Sequence, residues 1–244
     1  MRNHLFLQVA LNGDSLHPAT PRTPDRIAAD ARAAVAAGAQ SLHLHPFDEQ
    51  GRETLDARDC AKTIKAVRAS CPGISISLST SAAIEADLKK RFDLIASWTE
   101  MPDLVTANQG EIGIGAICEL LVARGVGIEA GLLAAQDARR FVASGLAAKC
   151  RRVMVEPLDA NPDDAIRHAE IIESIVTEAG ITLEQVHHGY GIACWDVNRR
   201  AVSRGHGIRT GLEDVTVLPD GRQAKGNADL VAAAASIIHQ ATRG

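Results

Sequence analysis

Short apolar runs of β character alternate with stretches of helical apolar spacing from one end of the chain to the other. The first run covers residues 4–11. Thr23-Pro24-Asp25 then opens a helix, with a hydroxyl placed to accept from the free N–H groups of the first turn and proline at its first position. Gly38 closes that helix. After a second run at 41–46, Cys60, Ile64, Val67 and Cys71 recur at three- and four-residue spacing until Pro72 stops the helix they mark. The third and fourth runs, 74–80 and 103–108, flank a charged helical stretch at 84–98. Later runs fall at 127–133, 151–157, 185–191 and 207–214, with helices expected at 116–124, 136–148, 161–180 and 196–204. Asn161-Pro162-Asp163 repeats the cap-and-proline signal, and Asn227 is the expected cap of a last helix carrying Leu230, Ala234 and Ile237.

Eight β/α units in strict alternation predict an α/β fold of the closed (β/α)8 TIM-barrel type, as one domain spanning residues 1–244. An open doubly wound sheet is the alternative if one or two strands fail. In a barrel, chemistry belongs at the C-terminal ends of the strands and in the loops that follow them. A polar residue at a strand's end is therefore a candidate, and one at its start is structural.

Composition narrows the class. Of 244 residues, 46% are hydrophobic and 23% charged, which excludes disordered and low-complexity chains. Lys and Arg number 26 against 30 Asp and Glu, a net charge of −4 without a basic cluster, which argues against nucleic acid and anionic membranes as partners. Aromatic residues make up only 3%, too few for a base-stacking surface. Five widely spaced cysteines with no Cys-x-x-Cys pair read as reduced thiols filling the core of a cytoplasmic protein. The opening Met1-Arg2-Asn3-His4 and the brief apolar run behind it do not make a signal peptide, and no apolar stretch reaches membrane-spanning length.

Candidate chemistry gathers at the strand ends. Alternation along the second strand puts His43 and His45 on one face and Leu42 and Leu44 on the other; the leucines suit the helix layer, so both imidazoles enter the barrel mouth. Such a pair can chelate a transition metal or be two hydrogen-bonded histidines without one. On the eighth strand Arg209, Gly211 and Glu213 share the face opposite Ile208, Thr210 and Leu212. Glu213 at that strand's end can complete a His₂Glu site with an open coordination position, or serve only as the ion-pair partner of Arg209. Ser79-Thr80-Ser81, Thr106, Asn108, Glu129, Glu156, His187, His188 and Tyr190 add polar groups at other strand ends. No glycine pattern matches a dinucleotide or phosphate loop.

His43-Leu44-His45 with Gly51-Arg52-Glu53-Thr54-Leu55-Asp56, Leu78-Ser79-Thr80, Arg209 ahead of Gly211-Leu212-Glu213-Asp214, and the segment from Ala224 to Val231 together resemble the β-keto acid cleavage enzymes over nearly the whole chain. The resemblance implies a (β/α)8 barrel holding a divalent metal, usually Zn2+, through His43, His45 and Glu213. It implies Asp214 and Arg209 as the catalytic pair, and Ser79 or Thr80 as a substrate contact. Asn108 and Glu129, at neighbouring strand ends, are the other expected substrate contacts. The reaction implied joins a β-keto acid to acetyl-CoA and breaks the adduct into acetoacetate and a new CoA ester. The chain departs from the family's usual pattern at Ser81-Ala82, where two glycines are usual, at Pro46-Phe47, and at Gly191-Ile192-Ala193-Cys194.

On this reading Asp214 is the candidate base, steered by Arg209, with Glu129 next in line. The expected partners are a small-molecule β-keto acid, a CoA thioester and further copies of the chain in a homo-oligomer. Two other readings use the same residues: a metal-dependent hydrolase or aldolase that needs no CoA, and a non-catalytic metabolite-binding protein.

Overall fold

A computed structural model describes residues 5–241. Eight parallel strands close into a barrel, in sequence order, with β1 (Leu7–Ala10) pairing both β2 (Ser41–Leu44) and β8 (Gly207–Thr210). Between them run β3 (Ser75–Ser79), β4 (Leu104–Asn108), β5 (Gly127–Leu132), β6 (Cys150–Val155) and β7 (Glu184–His187). The helices follow in turn: α1 (Pro24–Ala36), α2 (Ala57–Ser70), α3 (Leu88–Ala96), α4 (Ile114–Ala123), α5 (Ala135–Ser144), α6 (Pro162–Glu178), α7 (Ala193–Ser203) and α8 (Asn227–Ala241). This is the (β/α)8 barrel that the alternation predicts, and it leaves no place for an open doubly wound sheet. Among the described residues no helix is long and apolar enough to cross a membrane.

The helices start where short polar side chains meet their free N–H groups. Asn161 accepts from Asp163 N and Asp164 N at 2.9 and 3.2 Å ahead of Pro162, and Thr23 accepts from Arg26 N ahead of Pro24. Asn227 behaves otherwise. It opens α8, but its Oδ1 accepts from Leu212 N (2.8 Å) and its Nδ2 donates to Leu11 O (2.7 Å), so it ties the ends of β8 and β1 together instead of capping the helix.

Outward strand residues such as Leu42, Leu44, Ile76, Val105, Val153 and Ile208 are fully buried in one hydrophobic cluster with the inner faces of the helices. All five cysteines are free; Cys60, Cys71, Cys118 and Cys194 are buried in that cluster, and burial pushes the Cys194 thiol up to about 12. The barrel interior is polar. Glu129 from β5 sits there beside Gln8, Ser77 and Arg152, whose guanidinium lies 3.8 Å over the Phe6 ring.

Most strands are shorter than the apolar runs suggest. The run expected at 4–11 forms a strand only over Leu7–Ala10, with His4 outside the described residues. The second ends at Leu44 and not at Pro46, the seventh at His187 and not at Gly191, and the eighth at Thr210 and not at Asp214. The residues past these ends form the mouth of the barrel.

Candidate active site

β2 carries His43 inward, and His45 follows just past the strand's end. Asn12 grips the His45 backbone from both sides: its Oδ1 accepts from His45 N at 2.9 Å and its Nδ2 donates to His45 O at 3.0 Å. β8 carries Arg209 inward and stops at Gly211. A Cβ there would lie 2.6 Å from the carbonyl carbon of Ala10, so only glycine lets β8 close against β1. The chain then turns, with Asp214 N and Val215 N both donating to Gly211 O at 2.9 Å. That turn brings Glu213 and Asp214 to the same side. On the continued strand expected from the sequence they would point to opposite faces.

The three prospective ligand atoms converge. His43 Nε2 and His45 Nε2 are 3.3 Å apart, and Glu213 Oε2 lies 3.6 Å from each. A tetrahedral zinc with ordinary bond lengths spaces its ligand atoms by about 3.3–3.5 Å. Glu213 Oε2 is buried without a hydrogen-bond partner, while its Oε1 accepts from Arg209 Nη2 at 3.0 Å. A lone oxygen facing two ring nitrogens is the arrangement that a cation would complete. Gly13 clears the space, since a Cβ on it would stand 2.7 Å from Glu213 Cγ. The far ring nitrogens are held as well: His45 Nδ1 lies 3.1 Å from Glu53 Oε1, and His43 Nδ1 lies 3.2 Å from Thr106 Oγ1. The donor set fits a divalent ion.

Electrostatics divide the two rings. Burial lowers His43 to about 3, with Arg209 and His45 adding to the effect against Glu213. Burial also opposes charge on His45, but Glu213 and Glu53 outweigh it and push the ring up to about 10. For Glu213 burial is outweighed by Arg209 and the two imidazoles, which hold the carboxyl well below the usual carboxylate range.

Beside the ligands stands a second constellation. Arg209 donates to Asp214 through Nε (3.1 Å to Oδ2) and Nη2 (2.6 Å to Oδ1), a two-point grip on a buried carboxylate. His188, just past β7, lies 3.4 Å from Asp214 Oδ1 and 3.3 Å from Glu156 Oε2. Burial and Arg209 oppose a proton on His188, but Glu156 and Asp214 prevail and push it up to about 9. Burial works against ionising Asp214, and Arg209 and His188 overcome it and lower its pKa.

The remaining sequence candidates divide by depth and face. Ser79 is on the inward face of β3 with Ser77, whereas Thr80 turns away and spends its hydroxyl on Thr106 O at 2.8 Å. Asn108 ends β4 at the mouth, half-buried, with its amide 3.3 Å from Glu111 Oε1. Glu129, expected among the substrate contacts, is fully buried, its carboxylate taken by Gln8, Ser77 and Thr106. His187 faces the helices, stacked 4.7 Å from His206, and burial lowers it to about 3. Glu173, His187 and His206 also lie close enough together to suggest a metal group. The Glu173 carboxylate, however, is already met by Arg200 and Arg204 at 2.7 Å and by His206 at 3.1 Å, a cationic setting that repels an ion. Asn12 and Gly13, which the sequence reading passed over, carry no signal beyond following an apolar run.

Two overlapping stretches, residues 4–156 and 131–244, match the family model of the beta-keto acid cleavage enzymes. The chain belongs to that family. It is 28% identical over 255 residues to the 3-keto-5-aminohexanoate cleavage enzyme of Fusobacterium nucleatum subsp. nucleatum, covering 95% of this chain and 90% of that protein. ObcA, solved in a ternary complex with a C4-CoA adduct and oxalate, superposes with a TM-score of 0.69 at 17% identity, over 88% of this chain and 62% of ObcA. The chain thus spans less than two thirds of ObcA's length. A type I 3-dehydroquinate dehydratase from Clostridium difficile superposes with a TM-score of 0.66 at 9% identity, over 99% and 93% of the two chains. At these identities the structural likeness is one of fold.

Proposed function

We propose that this family member converts a β-keto acid and acetyl-CoA into acetoacetate and a new CoA ester, with a divalent ion, zinc foremost, held by His43, His45 and Glu213. The observation that carries the reading is the unpartnered Glu213 Oε2, 3.6 Å from two facing imidazole nitrogens, beside a carboxylate gripped by arginine. An ion bound there supplies Lewis acidity toward the keto oxygen and raises the acidity of the adjacent carbon.

The chain's own groups do the rest. Asp214 accepts the proton from the carbon between the carboxylate and the ketone. Arg209 holds both of its oxygens, fixing its direction but weakening it as a base, so activation has to come largely from the substrate side. His188 and Arg209 flank Asp214 with positive charge and offset the acids at the mouth, which lets an anionic substrate enter. Ser79 and Asn108 are the polar groups at the mouth that can hold its carboxylate. Next to Glu53 a cleft of about 670 Å³, lined in part by Arg22, Phe47, Arg52 and Lys90, has room for the thioester co-substrate. The free thiols fit a reducing compartment such as the cytoplasm.

Asp214→Asn tests the division of labour. The variant should keep its metal, measured by elemental analysis, and lose roughly 10²–10⁴-fold in kcat, the usual worth of general-base assistance. Metal lost in step with activity would make Asp214 a ligand or its support; full activity would remove it from the reaction.

A further inference from the structure

Glu129 is a fully buried carboxylate on which four polar groups converge. Its Oε1 accepts from Gln8 Nε2 at 2.9 Å and lies 3.7 Å from Arg152 Nε. Its Oε2 accepts from Ser77 Oγ at 2.5 Å and from Thr106 Oγ1 at 3.3 Å. Those two hydroxyls are also the groups beside His43 Nδ1, Thr106 Oγ1 at 3.2 Å and Ser77 Oγ at 3.5 Å.

Direction follows from counting protons. A hydroxyl has one proton to give, and an ionised carboxylate can only accept. Ser77 spends its proton on Glu129 at 2.5 Å, and with Thr106 also donating there at 3.3 Å both hydroxyls keep only lone pairs for His43, so that Nδ1 is the donor. A neutral imidazole carries one N–H, so Nε2 is then bare. That is the atom 3.3 Å from His45 Nε2 and 3.6 Å from Glu213 Oε2. We propose that Glu129 is a positioning residue that sets the tautomer of His43 through Thr106 and Ser77, keeping the His43 Nε2 lone pair free for a divalent ion. The metal half of this inference rests on the proposed function; the tautomer half does not. A glutamine at 129 presents an amide that can donate, which releases the hydroxyl protons toward Nδ1 and leaves the proton of His43 on the ligating side.

The test is nitrogen NMR of metal-stripped, ¹⁵N-histidine-labelled protein, with the His43 signals assigned through His43→Gln, alongside zinc titration against a chelating dye. Wild type should show His43 protonated at Nδ1. Glu129→Gln should move that proton toward Nε2 and weaken zinc binding about 10–100-fold, as loss of such outer partners does elsewhere. Thr106→Val should also weaken zinc binding, and Thr106→Ser should restore it; this pair carries the test if Glu129→Gln does not fold. His43 protonated at Nε2 in wild type, or a folded Glu129→Gln with unchanged tautomer and zinc affinity, overturns the proposal. Nδ1 protonation in a wild-type protein that takes up no zinc upholds the tautomer assignment and overturns the metal reading beneath it.

Discussion

His43 and His45 stand two residues apart and reach one point by different means. His43 is inside the strand, 1% exposed, its ring backed by the hydroxyls of Ser77 and Thr106. His45 is beyond the strand, its backbone fixed by Asn12 and its ring backed by Glu53. Neither ring closes a contact on which strand pairing depends, so His43→Ala should empty the site while leaving the barrel folded. Elemental analysis and thermal melting would check this together: metal near zero with a melting temperature within a few degrees of wild type is the expected outcome. A collapsed melting temperature would mean that His43 is chiefly structural. The sequence already put His43, His45 and Arg209 on inward faces, because side-chain alternation needs only local information. It could not say how deep a residue such as Glu129 lies, nor that His188 and Glu156, just past the ends of neighbouring strands, would flank Asp214.

At the scale of elements, the decisive feature is where β8 stops. Alternation through residue 214 places Glu213 inward and Asp214 outward, but the turn at Gly211 turns both into the mouth. The signal was present, since glycine inside a strand pattern marks a close backbone approach. Its consequence depended on Ala10, some two hundred residues away in sequence. The loop after β1 matters equally. Gly13 has φ +58° and leaves room for the Glu213 side chain. Gly13→Ala should cost about 1–2 kcal/mol of stability for the left-handed backbone and, by displacing Glu213, weaken zinc binding more than that cost alone explains. Chelator competition and a denaturant melt on the same preparation would separate the two. Unchanged zinc affinity would show that Glu213 does not depend on this gap. Strand existence and order were legible throughout, as the eight units in register attest, because each apolar run was punctuated by glycine, proline or a cap. Asn227 misled, since a residue suited to capping was recruited to bridge Leu11 and Leu212.

Across the whole molecule, charge is buried away from the mouth as well. In the helix layer Glu173 of α6 meets Arg200 in the last turn of α7, Arg204 just past that helix and His206 in the loop before β8. Burial alone would raise the Glu173 carboxyl, but His206 and the two arginines outweigh it and hold it at about 2 against an ordinary 4.5. A carboxyl depressed on folding stabilises fully above its ordinary pKa and loses that contribution as pH falls from about 4.5 to about 2. Glu173→Gln should therefore be less stable than wild type at neutral pH, with the gap narrowing through that acid window; urea melts across pH would read it, and a pH-independent gap would count against the ion pairs. The closed ring of strands, with β1 sealed to β8, is what keeps the distant residues of the mouth in one place. The most direct measurement is acetoacetate release by the purified, zinc-loaded protein from a panel of β-keto acids, with and without acetyl-CoA and after chelation. Acetoacetate and a matching new CoA ester are expected in equal amounts for at least one acid, only with acetyl-CoA present and abolished by metal removal. Cleavage that proceeds equally well without acetyl-CoA, or survives complete loss of the metal, would contradict it.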